Sequence, residues 1–313
     1  MTRMYRAALA VAVFSGVVMV AAPAQPLVAA PASTITDPQL LTDIARASAR
    51  RTEGGTPTVN VEVLSADPDS VAHTVRALGG TVTGSVPGEV LQARIPVARL
   101  DALAASPAAR HIQSPRLSGY VASSLRRAET GFGPSLGSEV TITGANAWHD
   151  AGFTGAGVRV GIVDYFDMSA WNVAELGAKP TASGGNLFCQ DTSGSSFCKG
   201  ADINDAQGDL HGLAVAEVIK DMAPGAELYI ATVGTVSDLQ AAVNWFATKG
   251  VRILTRSLGA AYDGPGDGTG PLAAVVDSAI SQGMTWFNSA GNDARDSYMR
   301  REVAATVSTG AYG

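Results

Sequence analysis

The stretch Val158-Arg159-Val160-Gly161-Ile162-Val163 is an apolar run that ends on a single carboxylate, Asp164. A run of this length and composition has the character of a parallel strand buried on both faces. The chain beyond it repeats the same grammar. A helix is predicted from near His211 to just before Ala223-Pro224-Gly225, then a strand over Leu228 to Val233. A second helix runs from Asp238 to Lys249, with Gly250 just past its end. Val251 to Leu254 reads as a strand leading into Arg256-Ser257-Leu258-Gly259, and a Gly/Asp-rich loop follows from Tyr262 to Gly270. Pro271 to Gln282 is a helix with Pro at its start and Gly283 after its end. The last strand, Met284 to Phe287, precedes Asn288-Ser289-Ala290-Gly291-Asn292-Asp293. Strands separated by single helices predict a doubly wound α/β domain with a parallel sheet, here residues 141–313.

Upstream the pattern differs. Residues 57–117 read as β-α-β-β-α-β. The strands are Val59 to Leu64, Thr81 to Val86, Val90 to Ile95 and Arg110 to Ser114. One helix starts at Asp67-Pro68-Asp69 and ends at Gly79-Gly80, and the other covers Ala98 to Ala105. Pro87-Gly88-Glu89 closes the hairpin between the middle strands. This is the split β-α-β order of a small ferredoxin-like α+β domain. Residues 31–56 are read as a linker in which Ile35 to Arg51 can form one helix, and 118–140 as a second, exposed linker containing Arg126-Arg127.

Residues 1–30 carry the marks of a secretory signal peptide. Arg3 and Arg6 form a positive start, Ala7 to Ala22 is apolar or small, and Ala22-Pro23-Ala24 or Val28-Ala29-Ala30 offers a cleavage site. The run is Ala-rich and shorter than the ~20 strongly apolar residues of a membrane span. The expected location is therefore extracellular, with no membrane attachment after signal removal. Hydrophobic residues make up 46% of the chain, which permits a sizeable core, and the net charge of -6 argues against a nucleic-acid partner. Cys189 and Cys198 lie in a Gly/Ser-rich stretch, and in an oxidising compartment they are expected to form a disulfide closing a small loop. A metal site there would need further ligands, and the loop contains no His and no other Cys. No metal ligands or other cofactor-binding residues are nominated.

In a sheet of this kind ligands bind beyond the carboxyl ends of the strands. Asp164 follows the first strand, His211 opens a helix, and Asn292 follows the last strand. A buried Asp can hold a His in the tautomer that accepts a proton from a hydroxyl nucleophile, and an Asn amide can donate to a developing oxyanion. His149, in a short helix before Gly152, and His73 and His111 are read as structural or surface residues.

Five segments carry a resemblance. Val160-Gly161-Ile162-Val163-Asp164 resembles the strand that ends in the catalytic Asp of subtilisin-like serine proteases, the subtilases. His211-Gly212-Leu213-Ala214-Val215-Ala216 is similar to their H-G-T-x-V-A motif, and Met222-Ala223-Pro224-Gly225-Ala226 to the turn that follows it. Ser257-Leu258-Gly259 resembles the segment lining their substrate cleft, and Ser289-Ala290-Gly291-Asn292-Asp293 the block carrying their oxyanion Asn. The resemblance implies a serine endopeptidase that acts on peptides or proteins, with Asp164, His211 and Asn292 in the catalytic machinery. It also implies that the ferredoxin-like segment is a propeptide, an inhibitor and folding chaperone.

Two departures accompany it. Asp164 is followed by Tyr165-Phe166-Asp167, without the glycine usual in the family, so the loop must run differently; Asp167 is a rival carboxylate, but its register relative to the apolar strand is wrong. Leu213 stands where Thr is usual. The family nucleophile belongs to G-T-S-x-A, several tens of residues beyond the oxyanion Asn. Only 21 residues follow Asn292, and neither Ser297 nor Ser308 lies in that motif. The expectation is a form truncated before its serine and inactive as written. A pseudoprotease that binds peptides and an unrelated flavodoxin-like module are the rival readings.

Overall fold

A computed structural model describes residues 35–50, 55–115, 137–193, 198, 210–259 and 267–289. The signal segment, the Arg126-Arg127 pair, Asn292, Ser297 and Ser308 lie outside the described residues. Among the described residues no helix is long and apolar enough to cross a membrane.

The first layer is built on β1 (Thr58–Leu64), α2 (Pro68–Ala77), β2 (Thr81–Val86), β3 (Val90–Pro96), α3 (Leu100–Ala104) and β4 (His111–Gln113), preceded by α1 (Pro38–Ala49). The strands form an antiparallel sheet in the order β2-β3-β1-β4, the ferredoxin-like arrangement. Asp67 caps α2 by accepting from the Ser70 N–H at 3.0 Å, and Pro68 fits its first turn. One face of the sheet, with Val59, Val61, Val63, Ala93 and Ile95, packs under α2 and α3.

The segment expected to be a linker before this layer includes α1, and α1 belongs to the same core. Leu40 is fully buried there with Ile35, and Ser114, just after β4, donates from its hydroxyl to Asp43 and from its N–H to Asp37. The amphipathic spacing of α1 thus serves packing. The span read as the second linker ends in helix. The Gly137 N–H donates to Asp221 at 2.9 Å, and α4 (Ser138–Thr143) starts directly after it.

After α5 (Ala145–Asp150) come β5 (Arg159–Val163), α6 (Val173–Leu176), β6 (Leu187–Gln190), α7 (His211–Met222), β7 (Glu227–Val233), α8 (Val236–Thr248), β8 (Ile253–Arg256), α9 (Pro271–Ser281) and β9 (Thr285–Asn288). All five strands are parallel, in the order β6-β7-β5-β8-β9. β6 lies in the Gly/Ser-rich stretch that reads from sequence as loop. Its four residues carry no periodic signal, and only pairing with β7 reveals it. The ladder of β8 starts two residues later than the apolar pattern suggests. Val251 is apolar because it is buried beneath α8, where its N–H donates to the Phe246 carbonyl.

Helices cover both faces. Val163, Ala231, Val233 and Leu254 pack against α8 and α9, while Ile162, Leu228 and Ile230 pack with α6 and α7. The small layer docks on the α8/α9 side, inserting Val86 and Val90 from its hairpin into that core. The two are packed tightly enough at Gly84 that a Cβ there would lie 2.8 Å from the Ser237 side chain.

Leu40→Ala should cost about 2–5 kcal/mol through lost burial and the cavity left behind. Leu41→Ala, at a position 49% exposed, should change stability by less than about 0.5 kcal/mol. Urea unfolding followed by far-UV circular dichroism distinguishes the two. Equal effects would mean that α1 is not docked.

Candidate active site

The strand order reverses at β5: the chain visits β6 and β7 on one side and then crosses to β8 and β9 on the other. Crevices in open α/β sheets form at such a switch point, outside the carboxyl ends of the strands. Asp164 extends β5 and Ser257 extends β8 at that point, since Val163 and Arg256 are register partners.

Asp164 is completely buried, and its carboxylate accepts from the His211 ring Nδ1–H at 2.9 and 3.0 Å. It also accepts the Tyr165 N–H at 2.8 Å. A buried carboxylate is retained only when hydrogen-bonded, and these donors supply that. The ring is thereby held in one tautomer, and Nε2 is the nitrogen that would take a proton from a hydroxyl.

The backbone beneath Asp164 is clamped from two elements. Its N–H donates to the Ala231 carbonyl at 3.1 Å, and the buried Thr232 hydroxyl donates to the Asp164 carbonyl at 2.8 Å. From α7, the Gly212 N–H donates to the Tyr165 carbonyl at 3.1 Å. This answers the missing glycine after Asp164. Tyr165 and Phe166 are both buried, so the turn is held by packing and by the start of α7. A Cβ at Gly212 would lie 2.5 Å from the Tyr165 oxygen and 2.8 Å from the Phe166 ring, so the close approach requires glycine at 212.

Asp167, the rival carboxylate, accepts from the N–H and the hydroxyl of Ser169 and caps a short turn over Met168–Ala170. The His149 ring nitrogen Nε2 lies 3.0 Å from the Met222 carbonyl, joining α5 to the end of α7. The Cys189 and Cys198 sulfurs are bonded, with their Cα atoms 5.7 Å apart.

His211 borders an open groove of about 600 Å³ between α7 and the sheet, walled mainly by Val215, Val218, Thr255, Ser257 and Phe287. Ser257 lines it, Leu258 is buried, and Gly259 faces open space. Val218 and Phe287 are half exposed on its walls. The sequence points to a cleft at the strand ends but not to the Thr232 clamp, which depends on side chains brought together from separate strands and leaves no local signal.

Further along α7, burial pushes the Glu217 carboxyl up from 4.5 to about 7, with Glu175 and Asp221 adding repulsion. One oxygen of Glu175 is buried without a hydrogen-bond partner among the described residues.

The solved structures most similar to this chain include the epidermin leader peptide processing serine protease (EpiP) of Staphylococcus aureus. That match has a TM-score of 0.53 at 15% identity and covers 82% of this chain and 65% of EpiP. A mutant of the same enzyme gives 0.55 at 16%, covering 82% and 66%. Fervidolysin from Fervidobacterium pennivorans, a keratinolytic enzyme related to subtilisin, aligns at 0.43 and 17%, covering 77% and 41%. The sequence itself matches no family model and no curated protein. The fold is subtilisin-like, and the chain spans about two thirds of the EpiP structure.

Gly212→Ala should push α7 away from the Tyr165–Phe166 turn and break the Asp164–His211 bond. The expected readout is loss of the downfield, slowly exchanging Nδ1–H proton resonance of His211, as in Asp164→Asn. Its persistence in Gly212→Ala would show that the turn yields instead. A second test uses Glu217, whose folded-state pKa is raised. Between about 4.5 and 7 the native state holds more protons than the unfolded chain, so stability falls as pH rises through that window. Glu217→Gln should therefore stabilise the protein at pH 8 and leave it unchanged near pH 4, as read from urea midpoints at both values.

Proposed function

We propose that the chain is the Asp- and His-bearing part of a secreted subtilisin-like serine endopeptidase. The observation that carries this reading is the buried Asp164 accepting from His211 Nδ1 at the switch point of a subtilisin-like sheet. In that role His211 is the general base, Asp164 orients it and stabilises the imidazolium, and Ser257, Leu258 and Gly259 line the peptide cleft. Asn292, four residues past the end of β9, would donate to the oxyanion. Peptides or proteins are the substrates this machinery fits.

The 313 residues contain no G-T-S-x-A sequence. The family's nucleophile motif is therefore absent from these 313 residues, and the apolar groove beside His211 is where a serine-bearing segment would pack. Without that serine the 313 residues do not hydrolyse peptides, since loss of a triad member costs about 10⁴- to 10⁶-fold. The small N-terminal layer is assigned the part of a propeptide, supported by its docking through Val86 and Val90 against α8 and α9. Export is supported by the N-terminal Arg3/Arg6 and apolar run and by the Cys189–Cys198 bond, which suits an oxidising compartment.

The purified 313-residue protein should stay unlabelled by a fluorophosphonate serine probe and inactive on casein. A version extended at its C-terminus by a segment carrying G-T-S-x-A should label, and His211→Ala should abolish that labelling. Labelling of the 313-residue protein that disappears in His211→Ala would mean that a serine already present is the nucleophile. An extended version that binds casein without cleaving it would favour the pseudoprotease reading.

A further inference from the structure

We propose that the Cys189–Cys198 disulfide is a redox latch on the docking of the small N-terminal layer. The proposal stands on the docked contact and does not depend on the protease reading. β6 is an edge strand of four residues that ends at Gln190, where its ladder with β7 stops at Val233. Among the described residues past that point, two restraints within the larger domain matter here. One is Asp238 at the start of α8, which is fully buried and accepts from Gln190 Nε2, from the Thr192 N–H and from the Thr192 hydroxyl at 2.7–3.0 Å. The other is the disulfide, which closes the chain back on Cys189 across nine positions.

Residues 192 and 193 of this loop are what the small layer grips. Gln92 on β3 is fully buried. Its Nε2 donates to the Thr192 carbonyl at 3.0 Å and to the Thr192 hydroxyl at 2.7 Å, and its Oε1 accepts from the Thr235 hydroxyl at 2.9 Å. Asn60 on β1 donates to the Ser193 carbonyl at 2.9 Å. Asp191 accepts from the Ser193 N–H and hydroxyl, which fixes the bend between them. Two of the acceptors offered to the small layer are backbone carbonyls. Their direction depends on the conformation of the loop, and a cross-link restricts that conformation. If the loop turns, Gln92 keeps its burial and its Thr235 contact, but its buried Nε2 loses both Thr192 acceptors, which is the unfavourable case for a polar group.

Opening the latch needs a dithiol reductant. One of its thiolates attacks the disulfide to give a mixed disulfide, and its second thiol closes the reductant's own ring. Cys189 and Cys198 are left as two thiols, with two electrons passed to the protein. The consequence is a small layer that docks firmly after oxidation and loosely before it.

The test is hydrogen–deuterium exchange on the full chain, oxidised and after dithiothreitol. Reduction should speed exchange at least about tenfold in peptides covering 81–96 and 235–240 while leaving 159–163 and 227–233 unchanged. Gln92→Ala in the oxidised protein should reproduce that pattern, and reducing this variant should add less than about threefold, because latch and contact act on one event. Cys189→Ser/Cys198→Ser should behave as the reduced protein. Unchanged exchange on reduction, with Gln92→Ala still accelerating it, would overturn the proposal. So would equal acceleration at 159–163 and 227–233, or loss of far-UV circular dichroism on reduction, since either gives the disulfide a global role.

Discussion

β5 is hydrogen-bonded on both sides, to β7 and to β8, and its residues past Arg159 are buried. That double constraint governs the rest of the domain. A strand with no free edge and no wet face cannot slip register without exposing apolar side chains, so the residue at its carboxyl end has a defined position. Asp164 is that residue. The chain order around it then makes β5 the point where successive β-α units turn from one side of the sheet to the other, and a crevice opens there for geometric reasons alone. The Asp164–His211 bond follows from where β5 ends and where α7 begins.

The clamp on the Asp164 turn shows how one constraint replaces another. A glycine after a strand-end aspartate permits a tight turn by its own freedom. Here Tyr165 and Phe166 are bulky and buried, and the turn is secured from outside by Thr232 on β7 and Gly212 on α7. The glycine freedom reappears across the contact, at the residue next to His211. The chemistry of the site and the packing beneath it therefore share the same two residues of α7, and neither can change alone.

The small layer meets the larger domain through a sheet whose two faces do different work. One face closes its own core with α1, α2 and α3, and the other presents Asn60 and Gln92 with Val86 and Val90. Apolar contact at the hairpin, through Val86 and Val90, contributes adhesion that scales with buried area and is indifferent to direction. The polar contacts at Gln92 and Asn60 specify orientation, because each is satisfied in one arrangement only.

Much of this was legible in the linear sequence. The apolar run before Asp164, the Pro and Gly marks at helix ends and the spacing of small and β-branched residues report local preference and burial, and these are properties a segment carries with it. They determined the β/α alternation, the ferredoxin-like order and the candidacy of Asp164 and His211. The sequence did not determine β6, the docking of α1, the clamp by Thr232, or which apolar side chains wall the groove beside His211. Each of these is a relation between segments distant along the chain. A four-residue edge strand, a buried hydroxyl and a cleft wall acquire meaning only from the partner that the fold brings to them, and tertiary structure alone decides which partner that is.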